Sequence, residues 1–178
     1  MKRLISVCCL LLCCWILPAA AAESLNGQPV ETIDWEALMP QNFSFEQVYG
    51  SEDFGDLDDF DPRAQRKLDE MMSALQSAPV VPELDGRMVR LPGFVVPLEG
   101  DGQTVTSFFL VPWFGACIHT PPPPSNQIVH ATFEPGTRLE NLYDAVWITG
   151  VLTVEAFSHD LASAGYRLEA YRIEPYTE

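Results

Sequence analysis

Beyond its first 22 residues the chain is poor in cysteine, it has few positive charges throughout, and only one stretch of it is long and apolar. That stretch, Leu4 to Leu17, follows Lys2 and Arg3 and precedes a run of alanines. This pattern predicts a cleaved secretory signal peptide over residues 1–22. The remaining chain, residues 23–178, has no apolar stretch approaching the roughly 20 residues that a membrane-spanning helix needs. We therefore expect a secreted mature protein without a transmembrane segment.

Four of the five cysteines lie in this leader, so the mature chain keeps only Cys117. An internal disulfide is excluded, and the thiol must be buried, bound to a ligand or reactive. Burial is common, because a free cysteine behaves as a small hydrophobic residue. Lipid attachment at Cys13 or Cys14 is disfavoured, since the residues before each of them are not small.

Basic residues are scarce: ten Lys and Arg stand against 25 Asp and Glu, and the loss of two with the leader leaves a formal charge of −17. Such a surface repels phosphate and anionic lipid, which disfavours nucleic acid and membrane surfaces as ligands. Cations, metals and basic proteins remain compatible. The acidic residues between 52 and 61 lack the ligand order of an EF-hand loop, so we interpret them as a solvated loop.

The composition changes near Pro79, which divides the mature chain into a helical and acidic segment, residues 23–79, and a β domain, residues 80–178. A short helix is expected at Asp34 to Leu38. A second, amphipathic helix is predicted from Asp61 as N-cap and Pro62 at the first helical position. The apolar stripe that we expect to pack on the β domain consists of Ala64, Leu68, Met71 or Met72, and Leu75.

The β domain contains five segments with the composition of strands. Turn signals at Glu99 to Gly102 and Glu134 to Gly136 suit tight reversals, and Gly93 and Gly150 mark bends or close backbone approaches. The pattern predicts a mainly β chain with N-terminal helices (α+β), built on a five-stranded OB-like barrel; a Greek-key sandwich is the alternative. The predicted strands are Gly86–Leu98, Val105–Pro112, Asn126–Phe133, Val146–Phe157 and Gly165–Ile173.

The most unusual stretch places Cys117 and His119 two residues apart, directly before a proline run. On an extended segment both side chains would point to one face, as in a metal pair or a thiol and its base. The four prolines fix φ and predict a rigid polyproline II crossing. A purely structural motif that locks this crossing to the barrel is the alternative.

Thiolate and imidazole are ligands that Zn²⁺ or copper accepts, but a zinc site needs three or four protein ligands. His130 is our candidate for a third ligand, but its position on a strand favours a half-buried residue with a hydrogen bond. His159 is assigned to a surface loop. Zinc is therefore a hypothesis for the cofactor, with Cys117, His119 and His130 as its ligands.

An enzyme would use the same residues differently, with Cys117 as nucleophile, His119 as its base and Asn126 orienting the base. No oxyanion-hole, phosphate-binding or dinucleotide motif accompanies them, so we favour a binding role and assign no catalytic residue. Aromatic side chains beside a rigid loop anchor interfaces. The predicted partner-binding surface consists of Trp113, Phe114, Pro121, Pro122, Pro123, Pro124, Asn126 and Gln127.

Three stretches of the chain resemble a bacterial family known as domain of unknown function 3299. They are Val89 to Leu98, Phe109 to His119, and the proline run with Asn126 and Gln127; Trp35, Leu38 and Pro40 add to the likeness. The resemblance implies a small envelope protein of Gram-negative bacteria, hence a periplasmic location, with an OB-like β domain and no established biochemical function.

Some members of that family are encoded beside an ABC transporter and a periplasmic metal-binding protein of the zinc-starvation response. The resemblance therefore implies these transport components as partners. We expect a periplasmic accessory or binding protein of an envelope system that supplies zinc, with a thiol-dependent enzyme as the alternative.

Overall fold

The structure is a computed structural model that describes residues 23–44, 61–101, 103–116, 122–138 and 145–177. The described residues form one long helix, five long strands and several short elements. The helix is α1 (Pro62–Gln76), and the strands are β1 (Ser24–Leu25), β2 (Gln28–Pro29), β3 (Glu31–Thr32), β4 (Arg87–Gly100), β5 (Val105–Val111), β6 (Val129–Thr137), β7 (Ala145–Thr153), β8 (Phe157–Ser158), β9 (Ser163–Ala164) and β10 (Tyr166–Pro175). Turns of 3₁₀ helix cover Glu36–Leu38, Pro82–Leu84 and Ser125–Gln127.

The five long strands close into a barrel. The order is β4-β5-β6-β10-β7, and β7 returns to pair with β4. All pairs are antiparallel except β6 with β10, which is parallel. The short strand β3 adds to the outside of β4 in parallel. The predicted OB-like barrel is confirmed, and the sandwich is not observed.

Successive side chains along the strands point to opposite faces, and the apolar ones form two layers. One layer fills the barrel, where Phe108, Leu110 and Leu168 are among the enclosed side chains. The other layer lies outside strands β5 and β6, where Phe109 and Ile128 are buried beneath residues of the β8–β9 hairpin. Successive residues of β5 thus point to opposite layers, and both are enclosed.

Two glycines allow the strands to approach closely. A Cβ added to Gly150 would lie 2.2 Å from the carbonyl oxygen of Glu169 on β10. A Cβ on Gly93 would lie 2.7 Å from Leu110 Cγ. Both contacts are shorter than real Cβ atoms make, so the predicted role of these glycines in close approach is confirmed.

The helix begins as predicted, since the side chain of Asp61 accepts a hydrogen bond of 2.8 Å from the Arg63 amide. Its apolar stripe packs on the rest of the protein only at its C-terminal end, where Leu75 is 1% exposed while Leu68 is 42% exposed. The short N-terminal helix is a single 3₁₀ turn, Glu36–Leu38. The leader and the acidic residues 52–60 lie outside the described residues.

One predicted turn is confirmed and the other is wrong. Asp101 closes the β4–β5 turn by accepting hydrogen bonds from the amides of Gln103 and Thr104. The segment Glu134 to Gly136, in contrast, lies within β6. There the register with β5 slips, and the segment forms a bulge, because Pro135 has no amide to donate to the ladder. No helix among the described residues is long and apolar enough to cross a membrane.

Candidate functional site

The chain leaves the barrel after β5 through a tight turn. Gly115 adopts φ +78°, a conformation that favours glycine, and the Ala116 amide donates to the Trp113 carbonyl over 3.3 Å. Ala116 is buried in the outer apolar layer with Phe109. Trp113 and Phe114 remain 49% and 46% exposed, although Phe114 meets Phe94 edge to face at 6.3 Å. The turn therefore presents two aromatic rings on a fixed backbone.

The chain returns to the barrel through the last prolines and the 3₁₀ turn before β6. Pro124 has φ −61° and ψ 153°, in the predicted polyproline II region. The amide group of Asn126 donates to the Pro79 carbonyl at 2.8 Å, and that of Gln127 donates to the Trp35 carbonyl at 2.8 Å. Both side chains are buried and tie the N-terminal segment to the β domain.

Tyr166, the first residue of β10, contributes two further hydrogen bonds between the N-terminal segment and the β domain. Its hydroxyl donates to the Leu38 carbonyl at 2.8 Å and accepts from the Val81 amide at 2.7 Å. Burial raises the pKa of this hydroxyl. Trp35 adds a bond of 2.7 Å from its indole nitrogen to the Pro92 carbonyl. Together these hydrogen bonds, which we call the junction, hold the residues after the proline run in place relative to the barrel.

His130 is buried on the outer side of β6, on the same face as Ile128. Its ring stacks on Phe157 with centroids 3.6 Å apart and an interplanar angle of 10°. Nε2 lies 3.0 Å from the hydroxyl oxygen of Ser107, while Nδ1 is buried without a hydrogen-bond partner among the described residues. Burial, followed by the positive charge of Arg167, lowers the pKa of His130. The lowered pKa favours the neutral imidazole, which is the form that a metal binds.

His159 lies beside the outer apolar layer. Its ring is 6.0 Å from that of Phe109, and its Nδ1 accepts from the Leu161 amide at 3.2 Å. It lines a cleft of about 140 Å³ between helix α1 and the proline segment. The cleft also contains Met72, Leu75, Pro122 and Pro123.

The family model for the protein of unknown function DUF3299 matches residues 35–175. The chain belongs to the DUF3299 family. A crystal structure of a DUF3299 family protein from Pseudomonas aeruginosa is similar, with 37% identity and a TM-score of 0.65, covering 83% of this chain and 97% of that one. An OBody bound to hen egg-white lysozyme gives 14% identity and a TM-score of 0.35, covering 55% and 89%. No curated protein matches the chain.

The sequence-predicted residues of this DUF3299 protein fall into three groups. Cys117, His119 and Pro121 lie outside the described residues. Trp113 and Phe114 are exposed and Pro122 is half-buried, whereas Pro123, Pro124, Asn126 and Gln127 are buried. Of the described residues in the predicted surface, a partner could therefore reach Trp113, Phe114 and part of Pro122. Within the described ranges, no three His, Cys, Asp or Glu side chains come together as a metal site. The metal assignment to Cys117, His119 and His130 thus stays a prediction.

The roles of two residues near the candidate site of this DUF3299 protein could not be predicted from the sequence. His159 is exposed in the loop of the β8–β9 hairpin, as expected from the sequence, but the sequence did not reveal that its ring lies 6.0 Å from that of Phe109 and that it borders the proline segment. Tyr166 was included in a strand without a role, although its hydroxyl bonds a carbonyl 128 residues away. A glycine followed by an aromatic residue, as at Gly165-Tyr166, is compatible with a buried side chain. It does not identify the carbonyl that the tyrosine hydroxyl bonds.

Proposed function

We propose that this protein is a periplasmic accessory protein that binds a component of a metal-supply system in the envelope. The observation that supports the proposal is that the side chains of Trp113 and Phe114 are exposed on a turn whose last residue is buried. Exposed aromatic residues on rigid backbone are suited to anchoring an interface, because little conformational entropy is lost on binding.

The partner that the family relationship favours is the periplasmic metal-binding protein of an ABC transporter. A transport accessory needs a docking surface, and the exposed side chains of Trp113 and Phe114 would supply one. Cys117 and His119 follow the aromatic turn directly in the chain. We propose that these two side chains bind Zn²⁺ next to the docking surface.

We expect the mature protein to bind the periplasmic zinc-binding protein of its own organism in calorimetric titrations. Replacing Trp113 and Phe114 together with alanine should weaken binding about tenfold or more, since buried aromatic anchors contribute about 2 kcal/mol or more. Leu68→Ala is the matched control, because Leu68 is 42% exposed but lies on helix α1. Unchanged affinity in the double variant would refute this docking surface.

Zinc binding is tested separately, with a competing chelator and no partner protein. Cys117→Ser and His119→Ala should each weaken Zn²⁺ binding by about 100-fold, whereas His159→Ala should change it little. Affinity should rise with pH, because the thiolate and the neutral imidazole are the binding forms. Equal binding by the wild type and a Cys117/His119 double variant would show that zinc is held elsewhere.

A further inference from the structure

A row of aromatic rings crosses the outer face of the barrel between β4 and β7. In the antiparallel register, Phe94 lies opposite Ala145 and Pro92 lies opposite Trp147. Opposed residues share a face, and residues two apart along a strand share it too, so Phe94 and Trp147 both face outward. Tyr176 continues the row, since its amide donates to the Ala145 carbonyl at 3.0 Å. We call Phe94, Trp147 and Tyr176 the aromatic row.

The rings at one end of this row form a stack with a cation. The guanidinium carbon of Arg90 lies 4.3 Å from the centroid of the Trp147 ring. Tyr176 stacks on Trp147 with centroids 5.2 Å apart and an interplanar angle of 27°. Arg90 comes from β4 on one side of β7, whereas Tyr176 follows β10 on the other side. The stack ends in the ring of Tyr176, which is 43% exposed.

The charges around the stack are already paired with each other. Arg172 pairs with Glu23 and with Glu174, and Glu174 also lies 3.9 Å from Arg90. The Nε atom of Arg90, which has no hydrogen-bond partner among the described residues, is buried. A ligand outside Tyr176 therefore meets an aromatic face beside which these four charged side chains already have ionic partners.

The charge of the whole chain favours a cation at this face. Its formal charge is −15, and an aromatic face carries the negative part of the ring quadrupole. We propose that the aromatic row binds an arginine or lysine side chain of a basic partner segment, with the cation over the exposed face of Tyr176. Arg90 over Trp147 shows the same contact within the protein. The inference does not depend on zinc, and the proposed cation site at Tyr176 contains neither Trp113 nor Phe114.

The test is a titration of the mature protein with hexa-arginine at 0.15 M salt, followed by NMR shifts and calorimetry. Tyr176→Ala should weaken binding about two- to fivefold, the range expected for a surface cation–π contact. Tyr176→Phe keeps the ring and should bind as the wild type does. Tyr171→Ala is the control, because Tyr171 is similarly exposed at 40% and its loss leaves the net charge unchanged.

Two results would overturn the proposal. One is equal affinity of the wild type and Tyr176→Ala, with NMR shifts spread over the acidic surface, which would indicate general electrostatic attraction only. The other is binding of neutral chitohexaose at Tyr176 without binding of hexa-arginine, which would indicate a glycan site. Because Trp113 and Phe114 are intact in all these variants, either failure leaves the docking experiment with the zinc-binding protein unaffected.

Discussion

Gly150→Ala should lower the free energy of unfolding by more than about 3 kcal/mol, a large share of the stability of a small domain. The added Cβ would lie 2.2 Å from the Glu169 carbonyl oxygen and 2.8 Å from its carbonyl carbon. Both atoms belong to the backbone of β10 and cannot rotate away. The strands must separate at Ala170, which pairs with Gly150, so the closed barrel itself is strained. Urea unfolding followed by circular dichroism measures the change.

Gly86→Ala is the matched control for this substitution. Gly86 has φ +73°, and a Cβ added there meets nothing within 4 Å. Its cost is therefore conformational alone, about 1–2 kcal/mol. A Gly150 variant as stable as the Gly86 variant would show that β7 and β10 can move apart at no large cost. The close approach would then not be a requirement of the fold.

The barrel strands were predictable because their signal is local. Alternation of apolar residues and the placement of glycine gave segments close to the observed β4, β5, β7 and β10. The prediction of a turn at Glu134 to Gly136 is wrong because proline and glycine occur in bulges as well as in reversals. Only the pairing partner decides between them, and that partner, β5, lies about 30 residues earlier in the chain. The β8–β9 hairpin was missed because its strands are two residues long.

The candidate site was predictable in part. Trp113 and Phe114 were expected at the surface and are exposed. Asn126 and Gln127 belong to the same motif but are buried, because each bonds a backbone carbonyl of the N-terminal segment. Gln127 and Trp35 are 92 residues apart in the chain, and no local sequence pattern predicts a hydrogen bond between them. A distinctive motif therefore combines residues that face solvent with residues that position them.

The same junction explains why the N-terminal segment and the β domain act as one structural unit around the motif. Trp35 donates to β4 through its indole and accepts from Gln127 through its carbonyl. Gly165 donates to the Ser125 carbonyl at 2.6 Å, which ties the start of β10 to the 3₁₀ turn after the prolines. Loss of any one bond should loosen the others, because networks of buried hydrogen bonds share their geometry.

Tyr166→Phe should lower the free energy of unfolding by about 2–4 kcal/mol while keeping the ring in the barrel. The lost hydroxyl leaves the Leu38 carbonyl and the Val81 amide without their partner in a buried site, and each orphaned group costs about 1–3 kcal/mol. Hydrogen exchange provides a local measurement, since the Val81 amide should lose protection. Limited proteolysis should cut the segment around Leu38 faster than in the wild type.

Tyr171→Phe is the control for that substitution, because the Tyr171 side chain is exposed on the same strand. It should unfold at the wild-type urea concentration and leave Val81 protected. If Tyr166→Phe behaved likewise, water would have to replace the hydroxyl at both backbone groups, and the Tyr166 anchor would contribute nothing. If stability fell but Val81 stayed protected, the loss would come from altered packing inside the barrel. Only the combined loss of stability and of Val81 protection assigns the tyrosine hydroxyl to the junction that positions the motif.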